Sequence, residues 1–501
     1  MDLLSSMALG LSVALQPINL LYCFAGVFIG TLVGVLPGIG PVAAMSLLLP
    51  VTFSAPPEAG IIMLAGIYYG SMYGGSTTAI LVNIPGEAAS VVTCLDGHQM
   101  ARQGRAGPAL GIAAMGSFIA GTLAVVGLML VAPTLARWAV KFGPAEYFSL
   151  MVLGLSVLTY LSHGSLLKAL IMACFGLVLG LIGIDSINAM PRLTFDRMEL
   201  VDGVGLVPIV MGLFGIAEIL SNIERSISRE IFAQRITGLM PTRRDWKESA
   251  GPLARGSLLG FVLGVLPGGG AVISSFISYA LEKRLSKTPE TFGKGAIAGV
   301  AGPEAANNAA AGSGFIPLLT LGIPPNVVLA LLLGAFIVHG LQPGPLLMLQ
   351  NPNIFWGIVA SMYIGNVMLL ILNLPLIGMW VQVLKVPYKI LFPVIVLFCL
   401  IGVYSLSNSI FDIYVMILFG VLGYLMRKLG YEPAPLVLAF VLGPMMENNL
   451  RKALIISDGS FWIFIDSKLS LACLALAALL LATAIIPLLR IRRAKIAMEP
   501  G

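Results

Sequence analysis

The sequence predicts an all-α, polytopic membrane protein made of two repeats, and three observations carry that reading. Charge is scarce, with 29 basic and 23 acidic residues in 501 and 58% hydrophobic residues, whereas a soluble domain carries roughly 25% charge. Apolar runs near the ~20 residues that span a bilayer recur along almost the whole chain. A Gly-Pro motif occurs twice, as GVLPGIG at 34–40 and GVLPGGG at 264–270. No ~10-residue alternation of a membrane barrel is present.

In chain order, apolar segments lie near 18–53, 58–84, 109–132, 145–161, 164–184, 204–221, 257–280, 295–338, 354–376, 391–405, 410–426, 432–446 and 469–489, about a dozen helical elements. The 18–53 and 295–338 stretches are too long for one crossing and are interrupted by Gly and Pro, so each is expected to hold two elements. The first basic residue is Arg102, so the start is expected to lack the basic region of a secretory signal. Residues 222–256 carry Arg225, Arg229, Arg235, Arg243, Arg244, Lys247 and Arg255, which marks a basic cytoplasmic connector. The division expected is thus 1–221 as the first transmembrane repeat, 222–256 as the connector, and 257–501 as the second repeat with additional helices and a basic tail. The net charge of +6 sits in short loops, as in any membrane protein, and does not indicate nucleic acid.

The two motifs match at an offset of 230, and further on NIPG at 83–86 resembles GIPP at 322–325 at an offset of 239. Five apparent crossings separate the motifs, an odd number that would invert the second copy, as in secondary transporters. Basic residues flank both ends of 257–280, namely Arg255 on one side and Lys283, Arg284, Lys287 on the other. This favours a re-entrant hairpin turning at Pro267–Gly270 over a single crossing helix.

Proline and consecutive glycines break a helix, and a helix that restarts inside a membrane aims free N–H groups and its positive dipole end at what lies beyond it. The breaks therefore supply candidate substrate-binding residues: Gly38 and Gly40 in the first copy, and Gly268, Gly269 and Gly270 in the second. Small polar residues gather around them, Ser71, Gly74, Gly75, Ser76, Thr77 and Thr78 in one copy and Ser274 and Ser275 in the other. For each of these alone, close helix packing is an equal reading. Glu304, in AGPEAANNAAAGSG, is a carboxylate amid small apolar residues and is expensive at membrane depth. It is read as a cation ligand or proton carrier, or else as a residue at the water interface or a helix cap. With it, Asn83, Asn307, Asn308, Ser313 and Thr320 are the ion-coupling candidates.

Other chemistry is not supported. The five cysteines are scattered without a CxxC pair, and His98, His163 and His339 have no metal spacing, so no metal site and no cofactor is expected. No nucleophile elbow, Walker A motif or catalytic acid pair is found, and Glu304 has no evident partner carboxylate, so the chain is not read as an enzyme. The alternatives are a channel with re-entrant selectivity loops and a carboxylate carrier that works without a binding protein.

The segments GVLPGIGP (34–41), YGGSTTAILVNIPGEAAS (73–90), LDGHQMARQGRAGPAL (95–110), FGPAEYF (142–148), GLFGIAEIL (212–220), GVLPGGGAVISS (264–275), FGKGAIAGVAGPEAANNAAAGSGFIPLLTLGIP (292–324) and GVLGYLMRKLGY (420–431) resemble, in order and spacing, the large permease subunit of the tripartite tricarboxylate transporters. The resemblance implies a bacterial inner-membrane permease that works with a small four-helix membrane subunit and a periplasmic substrate-binding protein. It implies uptake of citrate or other organic acids driven by a sodium or proton gradient.

Overall fold

A computed structural model describes residues 3–36, 40–161, 165–185, 187–224, 238–268, 270–384 and 388–497. Gly38, Gly269, His163, Arg225, Arg229 and Arg235 lie outside the described residues.

The helices, in order, are α1 Leu3–Ala14, α2 Pro17–Val35, α3 Gly40–Thr52, α4 Pro57–Val82, α5 Val91–Arg102, α6 Ala106–Ala139, α7 Pro144–Leu161, α8 Leu166–Gly180, α9 Leu206–Val210 and α10 Ala217–Glu224. They continue as α11 Arg243–Val265, α12 Gly270–Leu285, α13 Ala298–Ser313, α14 Phe315–Leu321, α15 Val327–Val338, α16 Leu347–Gln350, α17 Pro352–Asn373, α18 Ile377–Val383, α19 Tyr388–Ser407, α20 Ile410–Lys428, α21 Pro433–Ile456, α22 Ile463–Asp466 and α23 Lys468–Ala497. A π-helical turn, Met211–Ile216, joins α9 to α10. Among the described residues five helical spans are long and apolar enough to cross a membrane: α2, α6, Leu206–Glu224, α17 and α20. This is an all-α, multi-pass membrane protein.

There are more helical pieces than the hydropathy pattern marks, because it cannot see breaks or polar helix starts. The 295–338 stretch holds three elements, α13, α14 and α15. Helix α11 begins at Arg243, well before the apolar run at 257. Its first turn is a reciprocal cap in which the Thr242 backbone N–H donates to Asp245 and the Asp245 N–H donates to the Thr242 hydroxyl, a device that starts a helix in polar sequence.

The chain forms two compact units. The first comprises 1–139, 206–265 and 269–424. Its frame is a pair of like arrangements, α2–α3–α4 and α11–α12–α13. In the first, a Cβ on Gly26, Gly30 or Gly34 would lie 2.3, 2.6 and 2.4 Å from the carbonyl oxygens of Met63, Ile67 and Ser71. In the second, a Cβ on Gly256, Gly260 or Gly264 would lie 2.3, 2.2 and 2.4 Å from those of Gly302, Ala306 and Ala310. Both series ascend together, so α2 runs parallel to α4 and α11 parallel to α13. The contacts reproduce in space the offsets of 230 and 239 read from the sequence.

The second motif turns the chain back on itself. Arg255 on α11 and Glu282 on α12, about equally far from the turn, form a bidentate pair at 2.8 and 2.5 Å. The single-crossing alternative is thereby overturned, since helices paired at equal distance from a break are antiparallel. Gly40 (φ 67°) and Gly270 (φ 28°) open the restarting helices with positive φ, which only glycine adopts without strain.

The second unit comprises 140–205, 266–268 and 425–501. It holds α7, α8, α21 to α23 and a small antiparallel pair, β1 Gly183–Ile184 with β2 Pro191–Arg192. Helices α8 and α21 meet closely at Gly176, where a Cβ would be 2.1 Å from Leu436 O. Asp185, Arg192, Glu447 and Arg451 form one ion network, with Arg192 to Glu447 at 2.6 Å and Arg451 to Asp185 at 2.6 Å.

Candidate functional site

Helix α4 runs through the middle of the first unit, with every residue from Ala59 to Val82 buried. Glu304 lies well inside α13 and is 0% exposed. The interface and helix-cap alternatives are therefore both overturned. Its Oε2 accepts a hydrogen bond from the Ser76 hydroxyl of α4 at 2.5 Å, and its Oε1 accepts one from the Thr93 hydroxyl of α5.

A second buried carboxylate, Glu87, stands beside it. Helix α4 ends at Asn83 in the left-handed conformation (φ 57°), and after Pro85 the chain reaches Glu87, which caps the short 3₁₀ turn Ala88–Ser90 by accepting from Ala89 N–H at 2.5 Å. The same side chain accepts from Asn307 Nδ2 of α13 at 3.3 Å. Room for it comes from Gly75, where a Cβ would sit 2.8 Å from Glu87 Cγ. The expectation that Glu304 has no partner carboxylate is corrected here. Among the described residues neither glutamate pairs with a lysine, arginine or histidine; the buried acids that do are Asp185 with Arg451, Asp245 with Arg105 and Glu282 with Arg255. The amide oxygen of Asn307 is buried without a hydrogen-bond partner.

On the other side of Ser76 a small cavity, with room for about one water, is lined by Tyr73, Ser76, Thr77, Ser117 and Asn373, with Leu110, Ala113 and Ala114. Asn308 donates to Ser117 at 2.7 Å at its edge, and the Asn373 amide oxygen is buried and unpartnered. The cavity is polar yet carries no charged side chain.

Of the residues singled out by sequence, the structure brings together Gly75, Ser76, Thr77, Glu304, Asn307 and Asn308. The others lie elsewhere or are bonded locally. Thr78 caps the end of α2 by donating to Val35 O at 2.7 Å. Ser71, Ser274, Ser313 and Thr320 donate to carbonyls of their own helices. Ser275 does so too, and also reaches Pro303 O at 3.3 Å. Gly74 allows α2 and α4 to touch, a Cβ there being 2.3 Å from Thr31 O, and at Gly268 (φ 76°) a Cβ would be 2.7 Å from Leu158 Cα. Asn83 is exposed. Among the described residues a Cβ at Gly40 or Gly270 would meet nothing within 4 Å.

Sequence reasoning missed Glu87, Thr93, Ser117, Tyr73 and Asn373. A signal for Glu87 did exist, since it is the one charged residue between Glu58 and Asp96. Thr93 and Ser117 carried none, because a hydroxyl on an apolar helix gives no hint of its partner.

The arrangement offers oxygen acceptors, hydroxyl donors and two formal negative charges in a site closed to water, which suits a small cation or a proton. Residues 20–438 match the family model described as "Tripartite tricarboxylate transporter TctA family". An "Uncharacterized 52.8 kDa protein in TAR-I ttuC' 3'region" of Agrobacterium vitis is 54% identical over 499 residues, covering 100% of this chain and 99% of the relative. An "Uncharacterized protein in TAR-II ttuC' 3'region" of the same organism is 54% identical over 240 residues, covering 48% of this chain and 99% of the relative. No solved structure matches the chain.

Proposed function

From the premise that the chain belongs to the tripartite tricarboxylate transporter TctA family, we propose that it is the permease of a binding-protein-dependent secondary carrier that imports tricarboxylates or related organic acids across the bacterial inner membrane. Its partners are a small four-helix membrane subunit and a periplasmic binding protein, and a sodium or proton gradient drives it. The observation that carries the reading is the buried pair Glu87 and Glu304, held between helices of two like repeats and free of any fixed counter-charge among the described residues. A carboxylate pair confined so is costly unless it is neutralised, and a group that must gain and lose a cation is what an ion-coupled carrier needs.

The antiparallel meeting of α4 with α13–α14, where Ser76 touches Glu304 while the Tyr68 and Phe315 rings are 6.2 Å apart, supports an inverted repeat. Alternating access follows if one repeat moves against the other about that contact. The helix restarts at Gly40 and Gly270 would take substrate carboxylates on backbone N–H groups.

The test is uptake of a radiolabelled organic acid by proteoliposomes that hold the permease and both partners. Uptake should saturate and should collapse at least about tenfold when sodium and proton gradients are dissipated. Uptake that survives dissipation and follows ATP would overturn coupling to an ion gradient, and flux that never saturates would instead indicate a channel.

A further inference from the structure

We infer that Glu87, Glu304 and the amide oxygen of Asn307 form a binding site for one small, hard monovalent cation, with sodium as its ion, on one side only of the local symmetry that relates the repeats. The inference rests on the carrier reading above and deepens it by naming the site.

Applying the offset of 239 to each residue shows why the charges are not structural. Glu87 corresponds to Asn326, and Asn307 to Tyr68. The structure holds both crossed pairs: Asn307 donates to Glu87 at 3.3 Å, and Asn326 donates to the Tyr68 hydroxyl at 3.1 Å. Exchange of contacts in this way is what a twofold relation produces. Asn326 also caps its own helix, accepting from Leu329 N–H at 2.9 Å, as Glu87 caps its turn. A neutral amide thus performs the same capping and the same bridge in the other copy. The carboxylate at 87 exceeds what the fold requires.

The same contrast runs through the rest of the site. Glu304, Ser76 and Thr93 correspond to Ala65, Phe315 and Leu332, each of them buried. One copy of the crossing is therefore packed with apolar side chains, while the other gathers two carboxylates, two hydroxyls and an asparagine. The unpartnered Asn307 amide oxygen, 1% exposed, is on the same planar group whose nitrogen bonds Glu87. Oxygen donors of this kind are the ligands that hard cations take. Each oxygen of Glu87 accepts one N–H hydrogen bond and keeps a lone pair that a cation can share.

Sodium itself is the probe. The purified full chain in detergent is titrated with sodium chloride against choline chloride at constant ionic strength, reading bound radioactive sodium and thermal unfolding together. Wild type should bind one sodium and unfold at higher temperature as sodium rises. Glu87→Asn, which installs the residue the other repeat uses, should keep the cap and lose about tenfold or more in sodium affinity. Glu304→Gln and Asn307→Ala carry the same expectation should Glu87→Asn fail to fold, and Asn326→Ala should leave sodium affinity unchanged. Wild-type sodium affinity in the folded variants would overturn the site. Binding that follows pH with no response to sodium would also overturn it and assign the pair to protons. Gradient-driven uptake without sodium binding defeats the site but leaves the carrier reading standing. Sodium binding without gradient-driven uptake does the reverse.

Discussion

Buried acids in this protein fall into two kinds, and the difference is what each carboxylate touches. Asp96 is fully buried, yet its Oδ1 accepts from Gly293, Gly295 and Ala296 N–H at 2.9, 2.8 and 2.8 Å, and its Oδ2 accepts from the Tyr279 hydroxyl. It fills a nest of backbone donors and fastens the 293–296 turn to α5. Asp245, at the polar start of α11, meets a different balance. Burial raises its pKa, but the Thr242 hydroxyl and N–H and the Arg105 guanidinium outweigh burial and hold it below the usual carboxylate range. A lowered folded pKa contributes stability above the unfolded value, near 3.9, and that contribution is lost as pH falls through the folded pKa. Thermal unfolding in detergent should therefore weaken as pH drops from 5 to 3. Asp245→Asn should flatten that fall and cost about 1 kcal/mol at pH 7, discounted because Arg105 is 42% exposed. An unchanged pH profile would show that Asp245 does not carry the effect. Among the described residues Glu87 and Glu304 have hydroxyl, amide and N–H partners but neither the fixed cation of Asp245 nor the three-donor backbone nest of Asp96, and that separates them from the structural acids.

At the level of helices, the frame is set by glycine. The stripes Gly26, Gly30, Gly34 and Gly256, Gly260, Gly264 face carbonyl oxygens at distances no Cβ tolerates, so backbones touch and dispersion contacts replace the hydrophobic driving force that lipid does not supply. Gly260→Leu should push α11 off α13, lose about 1–3 kcal/mol or more through overpacking, and lower the yield of monodisperse protein in detergent. Gly378→Leu, at a position with nothing within 4 Å of its Cβ, should be tolerated. Equal yields from both variants would show that the stripe is not a close contact. The glycines of the stripe are visible in the sequence, but their register against α4 and α13 is not. Spacing of four fixes which face of a helix is small, and only the partner helix decides what that face meets.

For the whole molecule, the hairpin at 264–270 has a testable consequence in a membrane. Single cysteines placed at Ser257 and Ala280 in a chain freed of its own cysteines should be labelled by an impermeant thiol reagent from the same side. Labelling from opposite sides would contradict the Arg255–Glu282 pairing that turns the chain back. The two compact units cut across the chain order, since residues 266–268 cluster with 140–205 and 425–501, and no reading of linear hydropathy divides the chain that way. Composition, apolar run length and motif repetition determined that this is an all-α, multi-pass membrane protein with two related sets of broken helices, because those features follow from local chemistry: lipid demands apolar spans, and Gly and Pro end helices wherever they stand. Only the tertiary structure decided that Glu87 joins Glu304 and that the same five positions in the other copy carry one carboxamide and no charge. Those residues are more than 200 apart in the chain, and the fold, not their local sequence, brings them within hydrogen-bonding reach.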